Sequence, residues 1–331
     1  MKSLTIAGRW NVNLHNLNNE GTEGNFIQPR TVTVVRGNAE GEPQLHAVNA
    51  ISGDMMKHIH ADYFRQIALD DGAGDTHDDE RDDYDGALPL SRNSIVLDPN
   101  RISTEEEMTE MLKKKDEVSN AEIIDYVIEN CALTDVHGIL MTEKGRMVPR
   151  KSRVEFGWVT AVPEASQTDH YFHVKYAKEN ATKYSHDKDE TNEGQAPFHR
   201  PASSAAYAFL AHVEADKIGL NELTLQSPIP EEDRRARVTA TLRAMVQTLM
   251  HPYGAGRSQQ APHVSGFDGL VVSSDSRIPA ATVSPLEPDF KEEAEQTVEQ
   301  MNRLGGQLQM QKVGTVADLT EYVADLSEDY A

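Results

Sequence analysis

Apolar and polar side chains alternate over residues 4–15. Leu4, Ile6, Trp10, Val12 and Leu14 fall on one side, and Arg9, Asn11, Asn13 and His15 on the other. A period of two predicts a β-strand with one buried and one wet face. After Leu17 the pattern stops: "NNEGTEGN" (18–25) holds only Asn, Glu, Gly and Thr, which predicts a loop. "RTVTVV" (30–35) predicts a second strand, followed by a Gly-rich turn at "RGNAEGEP". Ser52 then sits where a helix cap belongs, and Met55, Ile59, Tyr63 and Ile67 recur every four residues, the stripe of a helix packed on a sheet. The first 68 residues therefore read as strand, loop, strand, helix.

"DDGAGDTHDDERDDYDG" (70–86) is too charged to bury and reads as a surface loop. Thr104 with Glu107 and Ser119 with Glu122 have the spacing of capping boxes, so residues 70–150 read as a helical insertion. Strand patterning returns in "RVEFGWVTAV" (153–162), with Phe156, Trp158 and Val162 alternating, and in "HYFHVKYA" (170–177). A polar stretch to about Gly194 separates these from the strand "AAYAFLAHVEAD" (205–216). Residues 231–250 form a long helix with Val238, Leu242, Met245 and Leu249 inward, "FDGLVVSS" (267–274) is the last strand, and two acidic helices close the chain. This order suits the α+β class, a sheet covered on one face by helices, without internal repeats.

The 331 residues are enough for one large core with insertions, or for two domains. Mean hydropathy is −0.57, and no apolar run reaches the ~20 residues of a membrane span. No secretory signal is visible in "MKSLTIAGRW", and Cys131 is the only cysteine, which fits a reducing cytoplasm and leaves no thiolate metal cage. A net charge of −22 argues against a phosphate partner until its distribution is read. Residues 70–135 carry 20 acids against 6 bases, and residues 286–331 carry 11 against 3. Those segments hold the whole excess, so the remainder is balanced and leaves room for a locally positive surface; an acidic solvated exterior is the plainer reading of the two segments.

Three stretches carry candidate chemistry. Arg9, Asn11, His15, Asn18, Asn19 and Asn25, with Gly21 and Gly24, offer small polar groups and backbone amides that form an anion nest, or else an ordinary solvated loop. Ser52 and Gly53 with Lys57 one turn further make a helix start suited to phosphate, unless Ser52 only caps. His58 and His60 are two apart and lie on different helix faces, which speaks against a metal site. "HPYGAGRSQQAP" (251–262) reads as a backbone-binding loop or a helix-ending turn; it lacks the Gly-Lys-Ser/Thr ending of a nucleotide-binding loop. No nucleophile elbow, zinc-protease or dinucleotide motif is present, so no catalytic residue is assigned.

Taken together, "GRWNVNLHNLNNEGTEGN", "AISGDMMKHIH", "VEFGWVTAVPEASQTDHYFHVKYA" and "FHRPASSAAYAFLAHVEADKIG" resemble the DevR-type backbone subunits of type I CRISPR Cascade complexes, the Cas-seven family, of subtype I-B or I-A kind. The resemblance runs through residues 1–275. It implies a modified RRM-like (ferredoxin-like) palm over residues 1–69 and 151–285, a helical finger over 70–150, a thumb hairpin over about 163–201, and acidic helices over 286–331. It further implies a subunit that is not an enzyme, needs no cofactor or metal and sits on no membrane. Copies of it would assemble along crRNA beside other Cascade subunits, holding any guide by phosphate and ribose and leaving base edges for target DNA. Arg9, Asn11, His15, Asn18, Asn19 and Asn25 would flank the RNA, with Ser52, Lys57, His60, Arg150 and Arg153 near phosphate. Lys175, Lys178, Lys183 and Arg200 would act from the thumb, and Gly254, Gly256, Arg257 and Ser258 would close the path. Two alternatives stay open: target-RNA cleavage of the type III kind through Glu20 or Glu23, and a monomeric RNA-binding regulator.

Overall fold

The computed structural model describes residues 1–37, 41–72, 106–143, 145–176, 195–254 and 260–330. Strand β1 (Ser3–His15) lies at the centre of its main sheet. It pairs antiparallel with β11 (His263–Ser274) on one side and β10 (Gln195–Val213) on the other. From β10 the sheet continues through β9 (Val159–Tyr176), β5 (Pro43–Ile51) and β4 (Thr31–Gly37), and from β11 to β12 (Leu308–Val313), in the order β12-β11-β1-β10-β9-β5-β4. Short β8 (Val154–Phe156) adds to the end of β10.

One face carries helices α1 (Gly53–Gly72) and α5 (Glu231–Met250). Their stripes, Met56, Ile59, Phe64 and Ile67 on α1 and Val238, Leu242, Met245 and Leu249 on α5, enclose Leu4, Ile6, Trp10 and Val12 of β1 in one core. Large side chains such as Trp10 and Phe209 are fully buried there, and truncating either to Ala removes ~3–5 kcal/mol. Helices α3 (Asn120–Asn130) and α4 (Ala132–His137) join the same core, as does α2 (Glu106–Lys113) through Met108 and Leu112. The capping box of Ser119 and Glu122 is present as expected, whereas Thr104 lies outside the described residues.

Several expectations are corrected. The second face is covered as well: α6 (Phe290–Arg303) lays Phe290, Ala294 and Val298 over Ala7, Leu270 and Val272, with Ala280 and Ala281 filling between. The first half of β1 thus has no wet face, because its odd positions are small enough to accept a second layer. The alternation also fails at its end. Leu14 adopts φ 53 in a bulge between Val12 and His15, which leaves Leu14 52% exposed and turns His15 inside. The expected loop at 18–25 is a hairpin of β2 (Asn19–Glu23) and β3 (Phe26–Pro29), and β3 bridges β10 at His199. Trp158, expected within one strand, falls in the break between β8 and β9 and is exposed. β5, α4, β12 and the separate hairpin of β6 (Ile139–Glu143) and β7 (Arg146–Arg150) carry no strong period and go unpredicted. α7 (Val316–Glu328) opens with a capping box of Thr315 and Asp318 and packs Leu319 and Val323 into the main core. Among the described residues no helix is long and apolar enough to cross a membrane.

Candidate nucleic-acid interface

Four expected residues meet at the start of α1. The Ser52 hydroxyl accepts from the Met55 amide (3.2 Å), so it is spent as the cap, and the Ser52 amide donates to Asn18 Oδ1 (2.9 Å). Asn18 therefore fixes where the helix begins. A side chain on Gly53 would strike the Phe156 carbonyl, and one on Gly254 would strike the Leu17 carbonyl and Met55. Only glycine permits these approaches, and they draw β8 and the 251–254 turn against the helix start. Lys57, one turn in, is half-buried; burial lowers its ammonium from the ordinary value, against the pull of Asp54 and Glu155.

Beside it, two residues that the alternation pattern passed over, exposed Trp158 and half-buried Arg30, form a pair. Trp158 is 47% exposed, and the Arg30 guanidinium lies 5.8 Å from its ring centroid. Ser52, Lys57 and Trp158 line one cleft of about 270 Å³, and Lys57 also borders a groove of about 680 Å³ that runs past Leu140, Pro149 and Lys151. Among the described residues neither Arg30 nor Lys57 makes an ion pair within 4 Å. Asp54 and Glu155 share the smaller cleft, but Glu155 is bound to Lys151 (2.9 Å), which lowers its carboxyl below the ordinary range.

His15 supports this corner from within. Its Nδ1 accepts from the Leu17 amide (3.3 Å), and its Nε2 faces the Tyr207 hydroxyl (2.6 Å). That hydroxyl donates to Asn49 Oδ1 (2.5 Å), and Asn49 Nδ2 donates to the Arg30 carbonyl (3.1 Å). Every donor and acceptor in the chain is matched when His15 is neutral with its proton on Nε2. Burial drives the His15 pKa down to about 4 and pushes the Tyr207 phenol up. His15 is thus a positioning residue behind Arg30 rather than a surface contact.

Other expected contacts are likewise spent inside. His60 is fully buried between His137 (3.2 Å) and the Thr241 carbonyl (3.1 Å), and burial lowers it to about 4. Arg150 is ion-paired to buried Asp135, which also accepts from Arg237 (2.8 Å) and from the Gly219 amide (2.9 Å). Arg153, fully buried, holds Glu222 (2.6 Å) with Glu214 nearby (3.6 Å). Arg9 lies on the second face and donates to the Pro285 and Leu286 carbonyls. Asn11 is exposed on that same face, away from Ser52. In sequence Arg150 and Arg153 look solvated; their acids lie 15 residues (Asp135) and 69 residues (Glu222) away, which hides the pairing.

The remaining expected residues gather around the long β9–β10 ladder, whose pairs run from Thr160 opposite Ala208 out to Tyr176 opposite Gln195. Arg200 lies on the Phe198 ring (4.7 Å), and the Asn25 carbonyl accepts from the His199 amide (2.7 Å). Asn19 is half-buried, and its Oδ1 finds no partner among the described residues. Lys175 stands opposite Ala196 in the ladder, whereas Lys178, Lys183, Gly256, Arg257 and Ser258 lie outside the described residues.

Sequence relationship connects this chain to CRISPR-associated proteins. The pattern described as "CRISPR-associated negative auto-regulator DevR/Csa2" matches residues 6–296, and the chain belongs to that family. It is 26% identical over 336 residues to "CRISPR-associated protein Cas7/Cst2/DevR" of Methanocaldococcus jannaschii, a match spanning 98% of this chain and 97% of the relative. It is 24% identical over 277 residues to "CRISPR-associated aCascade subunit Cas7/Csa2 2" of Saccharolobus solfataricus, over 81% of this chain and 78% of the relative. A solved chain from a "CRISPR RNA-guided surveillance complex, pre-nicking" overlays with a TM-score of 0.49 at 12% identity, over 99% of this chain and 100% of that one.

Proposed function

We propose that this chain is a guide-RNA-binding backbone subunit of a type I Cascade complex, without catalytic activity of its own. The observation that carries the geometry is the pair of half-buried Arg30 and exposed Trp158 beside Lys57: among the described residues neither cation has an acid in ion-pair reach, and Arg30 lies on the Trp158 ring in an otherwise acidic chain. Cations track phosphate and an aromatic face takes a ribose or base, so the cradle grips a single strand without reading its sequence. Family membership and the Saccharolobus relative's name as an aCascade subunit support the assembly.

On this reading β1, α1, β9, β10, α5 and β11 form the ferredoxin-like palm, supported by the strand order β11-β1-β10-β9 with both helices on one face. Residues 106–150 correspond to the finger and the β9–β10 hairpin to the thumb. Copies of the chain bind side by side along crRNA in the cytoplasm, contact other Cascade subunits and present the guide to target DNA. The test is binding of labelled single-stranded RNAs of unrelated sequence across a salt series. Affinities should agree between sequences and fall with salt, with a logarithmic slope of about −0.7 per phosphate held. Equal affinity at low and high salt overturns the reading. The family's name also contains "auto-regulator"; sedimentation separates the two roles, since a regulator stays monomeric on long RNA and a backbone subunit assembles.

A further inference from the structure

The two outer strands of the main sheet treat their free edges in opposite ways. On β12 the Leu308 amide donates to Asn302 Oδ1 (2.8 Å) and the Leu308 carbonyl accepts from Asn302 Nδ2 (3.0 Å), so α6 closes the edge at that point. Alternation along the β11 pairing turns Met310 and Lys312 to the same side as Leu308, and the Lys312 carbonyl is taken by Gln311 Nε2 (3.0 Å). On β4 nothing comparable is found among the described residues. The Ala50 amide donates to the Arg30 carbonyl (3.0 Å), which fixes the phase of the β4–β5 ladder. In that phase Val32, Val34 and Arg36 bond to β5, and the amides and carbonyls of Thr31, Thr33 and Val35 face away from it. All three residues are exposed, and among the described residues no strand pairs with β4 on that side. Neither a proline nor a bulge interrupts the strand from Thr31 to Gly37, although natural sheets commonly blunt their edges with such devices.

We propose that the β4 edge is a self-association surface, on which β4 of a second copy adds antiparallel to β4 of the first and closes a two-fold pair. Three features select a second copy as the occupant. The strand matches itself: with Val34 opposite Val34, Thr33 of each copy faces Val35 of the other in the phase that exchanges main-chain hydrogen bonds, and the overlap runs from Thr31 to Gly37. The same register covers apolar area. Val35 (60% exposed) stands beside Leu45 (73% exposed) in the ladder and gains the other copy's Thr33 as a second neighbour. Charge permits the approach, because Arg36 is the only charged residue of the strand and is bound to Glu164 and Glu287. Residues 31–35 thus meet their copy without like charges, in a chain whose net charge of −22 repels a second copy elsewhere. Since the β12 edge is closed, copies cannot chain sheet to sheet, and association stops at the pair. A two-fold axis reverses one copy, whereas copies along one RNA share its direction, so the pair is a state of the protein without RNA.

Sedimentation velocity of the RNA-free chain over a concentration series tests this. Strand addition buries a small interface, so the weight-average mass should rise toward about twofold with a dissociation constant on the order of 10 µM. Thr33→Pro deletes an outward amide without touching a β4–β5 bond, and Thr33→Lys sets two ammonium groups beside the two-fold axis. Each should weaken association by about tenfold or more while circular dichroism stays that of the folded chain. Met310→Pro, on the other outer strand, should associate as wild type does. A wild type that stays monomeric up to roughly 200 µM overturns the proposal. Undiminished association of Thr33→Lys overturns it too, whether or not the proline variant folds, as does growth beyond two copies or loss of association in Met310→Pro alone. No RNA is present, so failure here leaves the guide-binding reading to its own test.

Discussion

Around Asp135, helix α4, helix α5, the end of β7 and the turn at Gly219 close over one carboxylate and two guanidiniums, all shut off from water. Near the start of α1, half-buried Arg30 and Lys57 have no acid within ion-pair reach among the described residues, one on an exposed tryptophan and the other between two clefts. Both places gather cations, and they use them for opposite ends. Charges removed from water need partners of matching geometry, so the Asp135 cluster specifies how residues 120–150 dock on α5. Charges left open keep their attraction for an outside anion. In a chain of net charge −22 such open cations mark a site more sharply than a basic cluster would, because their surroundings repel phosphate.

The largest expected effect tests the buried side of this contrast. Asp135→Ala strands Arg150 and Arg237 without their anion and should lower unfolding stability by about 3–5 kcal/mol, read by urea denaturation. A loss below about 1 kcal/mol would mean that the guanidiniums reach water and that the cluster is not sealed. Acid sharpens the same point at His15. Its pKa is lowered from 6.5 unfolded to about 4 folded, so the unfolded chain takes up a proton that the folded chain refuses. That contribution is complete above pH 6.5 and drains away as pH falls toward about 4. Between pH 7 and pH 5 it amounts to about 2 kcal/mol. His15→Gln, which cannot titrate, should lose about that much less stability than wild type over the same interval.

These residues also show what a sequence discloses. Helix α5 is predicted over residues 231–250 with the same four inward residues, because a period near four runs from Val238 to Leu249. The first half of β1 was predicted for the corresponding reason. Local periodicity carries no information about a second layer, so the burial of Ala7 under α6 was invisible. Nor does it register a single backbone outlier: alternation continues formally through Leu14 and His15 while the bulge exchanges their sides. The alternation of Phe156, Trp158 and Val162 likewise runs across the break before β9 without marking it. Asn18 and Lys57 were placed near one another by a resemblance, but Arg30 was missed because its partner, Trp158, is more than 100 residues away. Site residues that work by long-range pairing leave no local signature.

The exposed side of the contrast is tested by Arg30→Ala and Lys57→Ala. Each should weaken binding of single-stranded RNA by about tenfold at low salt and flatten the salt dependence, since one phosphate contact is lost. Thermal stability should hold, because among the described residues neither side chain is ion-paired and Ala suits the helix at position 57. A sharp fall in melting temperature with unchanged RNA affinity would move Lys57 into the structural class with Arg150.

The smallest effect concerns Leu14, where the buried and exposed regions join. Leu14 and Leu225 are the non-glycine residues with positive φ among the described residues, at 53° and 58°, and both are more than half exposed. A branched aliphatic side chain in the left-handed region costs about 1–2 kcal/mol, and Leu14 recovers little of that through burial. The strain persists because the next residue is held from inside: His15, locked to Tyr207 and the Leu17 amide, leaves the backbone before it no extended alternative. Asn tolerates this conformation far better than Leu. Leu14→Asn should therefore raise the unfolding free energy by about 1 kcal/mol. Leu14→Ala, which keeps the φ penalty and removes most of the side chain, should stay near wild type. That pair of results isolates the backbone term from any loss of contact. Were Ala and Asn to destabilise equally, the Leu14 side chain would be packing on something in the folded protein, and the bulge would belong to the buried region.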